Sequence, residues 1–234
     1  MTPLAEMTSG DAASAGSLLV VPLGATEQHG PHLPLGTDTR IAVELAWRLA
    51  ARVHGTVVAP ALAYGASDEH RGFAGTLSIG REAMESVLLA LVRSAAATFR
   101  RIVLLNAHGG NAETVDAAVR RLRGERHDVR AWSPASVWAG DAHAGHVETS
   151  VMLALDAGGV RAERAEPGNT APLAALMPEL VRGGVRAVSR NGVLGDPSSA
   201  SAEYGSILIE HAVESLCAFV CEWPAGEGTR QWAA

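Results

Sequence analysis

Glu27, His29 and Asp38 fall within one short stretch, Gly24-Ala-Thr-Glu-Gln-His-Gly-Pro-His-Leu-Pro-Leu-Gly-Thr-Asp38, directly after the apolar run Leu18–Leu23. A buried strand leading into a Gly/Pro-rich loop with two carboxylates and two imidazoles is costly unless something binds those groups. Glu, His and Asp are typical ligands of divalent metals. Three more loops carry similar residues: Asp68, Glu69 and His70 in the second, His108 between Asn106 and Asn111 in the third, and Asp141, His143, His146 and Glu148 in the fourth. Three acidic residues and two or three histidines meeting at one place are the ligand inventory of a two-metal site, in which one carboxylate bridges the ions. Asp38 suits the bridge because it stands at a helix start, where free N–H groups and the dipole hold a carboxylate. Taken alone, Asp38 reads equally well as a helix cap, and each histidine as a hydrogen-bonded loop residue. The grouping is what favours ligands: His29, His32, His70, His108, His143 and His146 share the four loops, whereas His54, His127 and His211 lie elsewhere.

The elements that must position these residues follow a strand–helix alternation. Strands are expected at Ser17–Leu23, Thr56–Leu62, Arg101–Leu105 and Val129–Ser133. Helices are expected at Thr39–Val53, Arg81–Phe99, Ala112–Arg123, Glu148–Leu155 and Glu203–Val220. Such alternation predicts an α/β fold with a mainly parallel sheet flanked by helices. Ligands then bind at the carboxyl ends of the strands, where all four loops begin. Residues 160–200 read as long ordered loops, residues 1–16 as a small, polar, disordered leader, 17–222 as one domain and 223–234 as a tail.

Bulk properties narrow the partners. The chain has 234 residues, 47% hydrophobic and 19% charged, enough for one full core. Its net charge is −6, all nineteen basic residues are arginine, and no basic stripe with interleaved aromatics suggests nucleic acid. No apolar run approaches the ~18 residues of a membrane span. Cys217 and Cys221, without a secretory signal, fit reduced thiols in a cytoplasmic protein. There is no Gly-x-Ser-x-Gly elbow, no Walker loop and no His-Glu-x-x-His.

Three segments, Pro22–Asp38, Asn106-Ala-His-Gly-Gly-Asn111 and His143-Ala-Gly-His-Val-Glu-Thr-Ser150, resemble the creatininase family of metal-dependent amidohydrolases, in the family's order. The similarity runs from about Ser17 to about Val220. It implies a three-layer α/β fold and two divalent ions, iron(II), zinc or manganese, held by Glu27, His29, Asp38, His108 and Glu148. It places His143 at the proton-transfer position and implies attack of a metal-bridging hydroxide on an amide carbonyl. It also implies a homo-oligomer, a hexamer built from dimers. Creatininase itself carries Glu where Ala142 stands and Tyr-Glu where Gly109-Gly110 stand, which argues against creatinine as substrate. Tyr64–Ser67, Gly140–His146, Pro167–Leu173, Arg182–Val185 and Gly192–Pro197 resemble the family's peptidase branch, associated with the mycofactocin system. That branch implies a modified precursor peptide as substrate and release of its C-terminal Val-Tyr unit. His70, Asp141 and His146 are expected as supporting or substrate-contacting residues, with Arg71 for the substrate carboxylate. The alternatives are hydrolysis of a small cyclic amide or formamide, and peptide binding without cleavage in a biosynthetic complex.

Overall fold

The computed structural model describes residues 2–223. Four strands, β1 (Leu18–Leu23), β2 (Thr56–Val58), β3 (Arg101–Asn106) and β4 (Val129–Trp132), form an all-parallel sheet in the order β2-β1-β3-β4. The helices in chain order are α1 (Ser9–Ser14), α2 (Thr37–Arg52), α3 (Arg81–Ala95), α4 (Ala112–Gly124), α5 (His146–Asp156), α6 (Leu173–Gly183), α7 (Val185–Val188) and α8 (Ala202–Cys221).

Every residue of β1 is buried, as expected of a central parallel strand covered on both faces. Alternate side chains divide between two cores. Leu18 and Val20 join α2, α5 and α8 through Ile41, Leu45, Val151, Ile209 and Leu216. Leu19, Val21 and Leu23 join α3 and α4 through Met84, Leu88, Val115 and Leu122. The result is the parallel sheet flanked by helices that the alternation predicts, and the three-layer α/β fold that the resemblance implies. Pro22 fits in β1 because its nitrogen faces the side where β2 has already ended, and only its carbonyl is used there, accepting from Leu62 N.

The differences from the sequence reading have local causes. Strand β2 stops at Val58 instead of Leu62 because Pro60 interrupts it, although Leu62 still bridges to Leu23. Two helices, α6 and α7, replace part of the loop expected over 160–200. Leu173, Leu176, Met177, Leu180 and Val181 have helical spacing there, obscured by the flanking Pro172 and Gly183-Gly184 and by Pro178 within. Residues 1–16, read as a disordered leader, contain a 3-10 turn at Leu4–Glu6 and helix α1, closed by a Thr8–Asp11 capping box. Leu4, Met7 and Ala15 pack against the core beneath β1. The tail expected at 223–234 lies outside the described residues except for Trp223, which is buried and donates to Asp128 Oδ1 at 2.9 Å. Helix α8 is long and apolar enough, by length and composition, to span a bilayer, with mean hydropathy 1.3. One face of it, Leu208, Ile209, Ala212, Val213, Leu216 and Val220, lies in the core instead.

Candidate metal centre

The polar loops leave the carboxyl ends of the strands and meet above the sheet. Buried asparagines hold them in place. Asn111 accepts from Ala66 N at 2.9 Å and donates to Gly24 O and Asn106 Oδ1, each at 3.1 Å, tying three loops together. Asn106 donates to His108 O at 2.8 Å and accepts from His108 N at 3.2 Å. Gly24 must be glycine because a Cβ there would stand 2.5 Å from the backbone of Thr39, where α2 passes the end of β1.

These constraints bring together Glu27, His29, Asp38, His70, His108, His143 and Glu148. His29 Nε2 is 3.1 Å from Asp38 Oδ1, and His108 Nδ1 is 3.4 Å from Asp38 Oδ2, so Asp38 lies between two imidazoles. Glu27 lies between two others: its Oε1 is 3.1 Å from His70 Nε2 and its Oε2 is 3.1 Å from His108 Nε2. Glu148 Oε2 is 4.0 Å from both His29 Nε2 and His143 Nδ1. Three sets, Glu27–His29–His143, Glu27–Glu69–His108 and His29–Asp38–Glu148, each bring three donor atoms within 4.8 Å of one another.

The donors fit a divalent cation. Both Glu27 oxygens and Asp38 Oδ2 are buried, and none makes a contact of hydrogen-bond geometry despite the nearby imidazoles. Buried carboxylate oxygens without partners are rare and costly, and mixed imidazole and carboxylate donors are what iron(II), zinc and manganese accept.

The electrostatics of the ion-free cluster agree. Burial is the largest influence on Glu27 and pushes its carboxyl up to about 8, against the attraction of His108. Burial lowers the His29 imidazole, but Asp38, Glu148 and Glu27 outweigh it and hold it up at about 10. Burial raises Asp38, but His29 and His108 more than offset it and keep it below the usual carboxylate range. Burial, then the His29 charge, pushes His143 down to about 3.

Hydrogen bonds assign the proton on His143. Its Nε2 is 2.9 Å from Gln28 O, which only accepts, and 3.1 Å from Gln28 Nε2, which only donates; with the two amide hydrogens directed to His70 Nδ1 and Gly192 O, Nε2 carries the hydrogen. The Nδ1 lone pair then faces the cluster, 4.0 Å from Glu27 Oε1 and Glu148 Oε2. Gln28 is a site residue that the sequence reading passed over. Its buried amide donates to His70 Nδ1 at 2.8 Å and Gly192 O at 3.1 Å, which places the His70 hydrogen on Nε2, 3.1 Å from Glu27 Oε1 but outside hydrogen-bond geometry. The segment 192–197 also fixes His143, through an antiparallel bridge with Leu194.

Other expected residues stand further out. Asp141 accepts from His146 N and Val147 N at the start of α5, so it shapes the turn that carries His143. His146 turns away, toward Ser199 Oγ at 3.2 Å and the Tyr204 ring. His32 is buried against Thr149 Oγ1 at 2.8 Å. Arg71 lines the cavity over the cluster, but its guanidinium lies 3.0 Å from Asp68. That cavity has a volume of about 900 Å³, and Leu173, Met177 and Val181 of α6 form one wall.

A family model described as creatinine amidohydrolase matches residues 5–220. The mycofactocin precursor peptide peptidase of Mycobacterium ulcerans (strain Agy99) is 48% identical over 231 residues, covering 95% of this chain and 92% of that protein. The chain belongs to the creatininase family. The creatinine amidohydrolase of Pseudomonas putida, a more distant family member, is 29% identical, covering 87% of this chain and 88% of its own. A creatininase crystal structure superposes with a TM-score of 0.77 at 28% identity, covering 95% of this chain and 98% of that one. Solved creatininases include a mutant of Zn–Zn type and a manganese form. As a creatininase-family member, the chain is a hydrolase of C–N bonds, with a metal-dependent chemistry that the His/Glu/Asp cluster fits.

Proposed function

We propose that the protein is a two-metal peptidase that removes the C-terminal Val-Tyr dipeptide from the modified mycofactocin precursor peptide. The observation that carries this reading is 48% identity, over nearly the whole of both chains, to a mycofactocin precursor peptide peptidase. The cavity supports it. A volume of about 900 Å³ is at the upper end of the range for small-ligand pockets, ample for two side chains and more than a small cyclic amide needs. Its α6 wall is apolar, and Arg71, Arg81 and Arg182 line it as well, which suits a peptide ending in apolar residues and a carboxylate.

Glu27, His29, Asp38, His108 and Glu148 would hold the ions. Bound there, divalent ions would activate a water and polarise the scissile carbonyl. His143 starts neutral, so its Nδ1 first takes a proton from the attacking water and then passes it to the leaving amine. Gln28 O keeps the His143 Nε2 hydrogen in place throughout. Among the three arginines, Arg81 is paired with Glu113 and Arg71 with Asp68. Arg182 uses only its Nε, on Pro178 O, and has no carboxylate partner among the described residues. Arg182 therefore joins Arg71 as an anchor for the substrate carboxylate. A cytoplasmic homo-oligomer, of the hexameric kind seen in the family, completes the proposal.

Mass spectrometry of the modified precursor peptide after incubation with metal-loaded protein tests this reading. Loss of the two C-terminal residues supports it. An intact peptide beside a hydrolysed cyclic amide would favour the small-amide reading, to which the 29% identity with a creatinine amidohydrolase also points. An intact peptide that nevertheless co-purifies would favour binding without cleavage.

A further inference from the structure

Spacing alone does not separate Glu69 from its neighbour Asp68; the fold does. The 3-10 turn Asp68–His70 sends Asp68 outward, half-exposed and paired with Arg71. Glu69 points the other way. Its Oε1 is 3.6 Å from His108 Nε2, which is itself 3.1 Å from Glu27 Oε2. Two ligands on one tetrahedral ion with bonds of ~2.1 Å stand about 3.4 Å apart. The two separations bracket that value. Glu27, Glu69 and His108 also present their donor atoms within 4.8 Å of one another, and both Glu27 oxygens are buried without a hydrogen-bond partner.

Gly110 supplies an independent observation. A Cβ at this position would lie 2.0 Å from Glu69 Oε1 and 2.5 Å from both His108 Nε2 and the backbone Ala66 O. The backbone there has no positive φ, so conformation does not require glycine. The space does: the Glu69 carboxylate and the Ala66 carbonyl occupy it. Gly184 closes the other side, since a Cβ there would stand 2.5 Å from Glu69 O.

We propose that Glu69 is a sixth metal ligand, sharing one ion with Glu27 and His108, its carboxylate lying in space that glycine at 110 leaves open. This rests on the metal-centre reading given above, but not on the identity of the substrate. His108 Nε2 also lies 3.1 Å from Ala66 O, so a proton on Nε2 and an ion at Nε2 are alternatives. In the second case Glu69 would be a ligand; in the first, only a neighbour of a hydrogen-bonded imidazole.

Zinc binding by the full chain distinguishes them. Wild type, Glu69→Gln and Gly110→Ala are stripped of metal, checked for unchanged circular dichroism, and titrated with zinc against a chromophoric chelator. The expected result is two zinc equivalents in wild type, with one weakened by more than about 100-fold in Glu69→Gln, beyond the 10–100-fold that outer partners of a ligand cost. Gly110→Ala should weaken the same equivalent with Glu69 still present. Two wild-type affinities in both variants, or a loss under 100-fold in Glu69→Gln, would overturn the ligand assignment. A wild type that binds no zinc would overturn it together with the metal centre. Failure to cleave the peptide, with zinc binding as expected, would sink the substrate reading and leave Glu69 in place.

Discussion

Replacing Asp38 with asparagine removes one charge at the point where the cluster is most tightly coupled. The residue is 1% exposed, and its two carboxylate oxygens face His29 and His108. In the metal-free protein, Asp38 is the main reason that buried His29 remains protonated at about 10, some 3.5 units above its ordinary 6.5. At ~1.4 kcal/mol per pH unit, the raised pKa amounts to a net stabilisation of about 5 kcal/mol below pH 6.5, with the opposing cost of burial already included. Breaking a buried ion pair by removing one partner costs ~3–5 kcal/mol, so the two estimates meet. Asparagine keeps one acceptor oxygen, which places Asp38→Asn near the lower end, about 3 kcal/mol. For a domain of this size, with an m-value of roughly 3 kcal/mol/M in urea, the midpoint of the stripped protein should fall by about 1 M. The pH dependence has a definite sign. A histidine whose folded pKa is raised contributes stability that is complete below its unfolded value, near 6.5, and lost as pH rises through about 10. The gap between wild type and variant should therefore be widest below pH 6.5, where Asp38 is still ionised, and narrow toward pH 10. Metal analysis of the loaded variant should show both ions lost, because Asp38 lies between the two ligand sets. An unchanged urea midpoint at pH 7, or a gap as wide at pH 10, would refute the pairing. Retention of two ions would refute the bridge.

Three further outcomes follow from the same geometry. His143→Asn should keep its metal content and lose roughly 10²–10⁴-fold in turnover; a wild-type rate would remove His143 from proton transfer. Zinc loading near pH 7 should release protons, because metal-free Glu27 and His29 hold theirs up to about 8 and about 10, and zinc affinity should weaken as pH falls. An indicator dye in weakly buffered solution reads this, and loading without acidification would contradict it. Gly205→Ala should destabilise the fold by ~1–3 kcal/mol, since its Cβ would stand 1.9 Å from Ser150 O where α8 crosses α5. At 2–4 °C per kcal/mol that lowers the thermal midpoint by several degrees, and an unshifted midpoint would show that the helices can separate at little cost.

Much of this centre was legible in the chain because polar residues follow strands. Once Leu18–Leu23 and Arg101–Asn106 are strands of one parallel sheet, the loops after them must share its carboxyl edge, and Glu27, His29 and His108 are brought together by topology alone. Asp38 follows because α2 starts where the first loop ends. The residues that escaped notice are those whose role depends on the direction of a side chain. Gln28 lies between two candidate ligands in sequence, yet only the fold shows its amide reaching His70 and Gly192 O. Asn111 reads as a turn residue until its side chain is found joining three loops. His32 and His146 were as conspicuous as His29 in the chain. One is turned against Thr149 and the other against Ser199, differences that composition does not encode. Helix α6 was hidden for another reason: Gly and Pro at both of its ends and Pro178 inside resemble loop punctuation, although its apolar spacing is helical.

The cluster is also a source of instability on which the fold's rigidity bears. Three buried carboxylate oxygens without hydrogen-bond partners, next to a histidine held at its protonated extreme and two held at their neutral extreme, make a poor interior for a metal-free protein. Such a cavity would relax if its walls could move. Several walls cannot. Glycines at 24, 65 and 110 bring backbone and side chains closer than any Cβ would allow, and Asn106 and Asn111 lock the loops to the ends of β1 and β3. Ala144, fully buried and held at φ 52, keeps the turn after His143 in a conformation that a non-glycine residue seldom adopts. The amide of Ala144 donates to Glu148 Oε2 at 2.6 Å, so the strained turn and one of the expected ligands are fixed by the same bond. A rigid sheet edge thus holds like-charged groups in place until a cation offsets their repulsion. The same coupling makes metal affinity and the stability of the folded chain one quantity, measurable from either side.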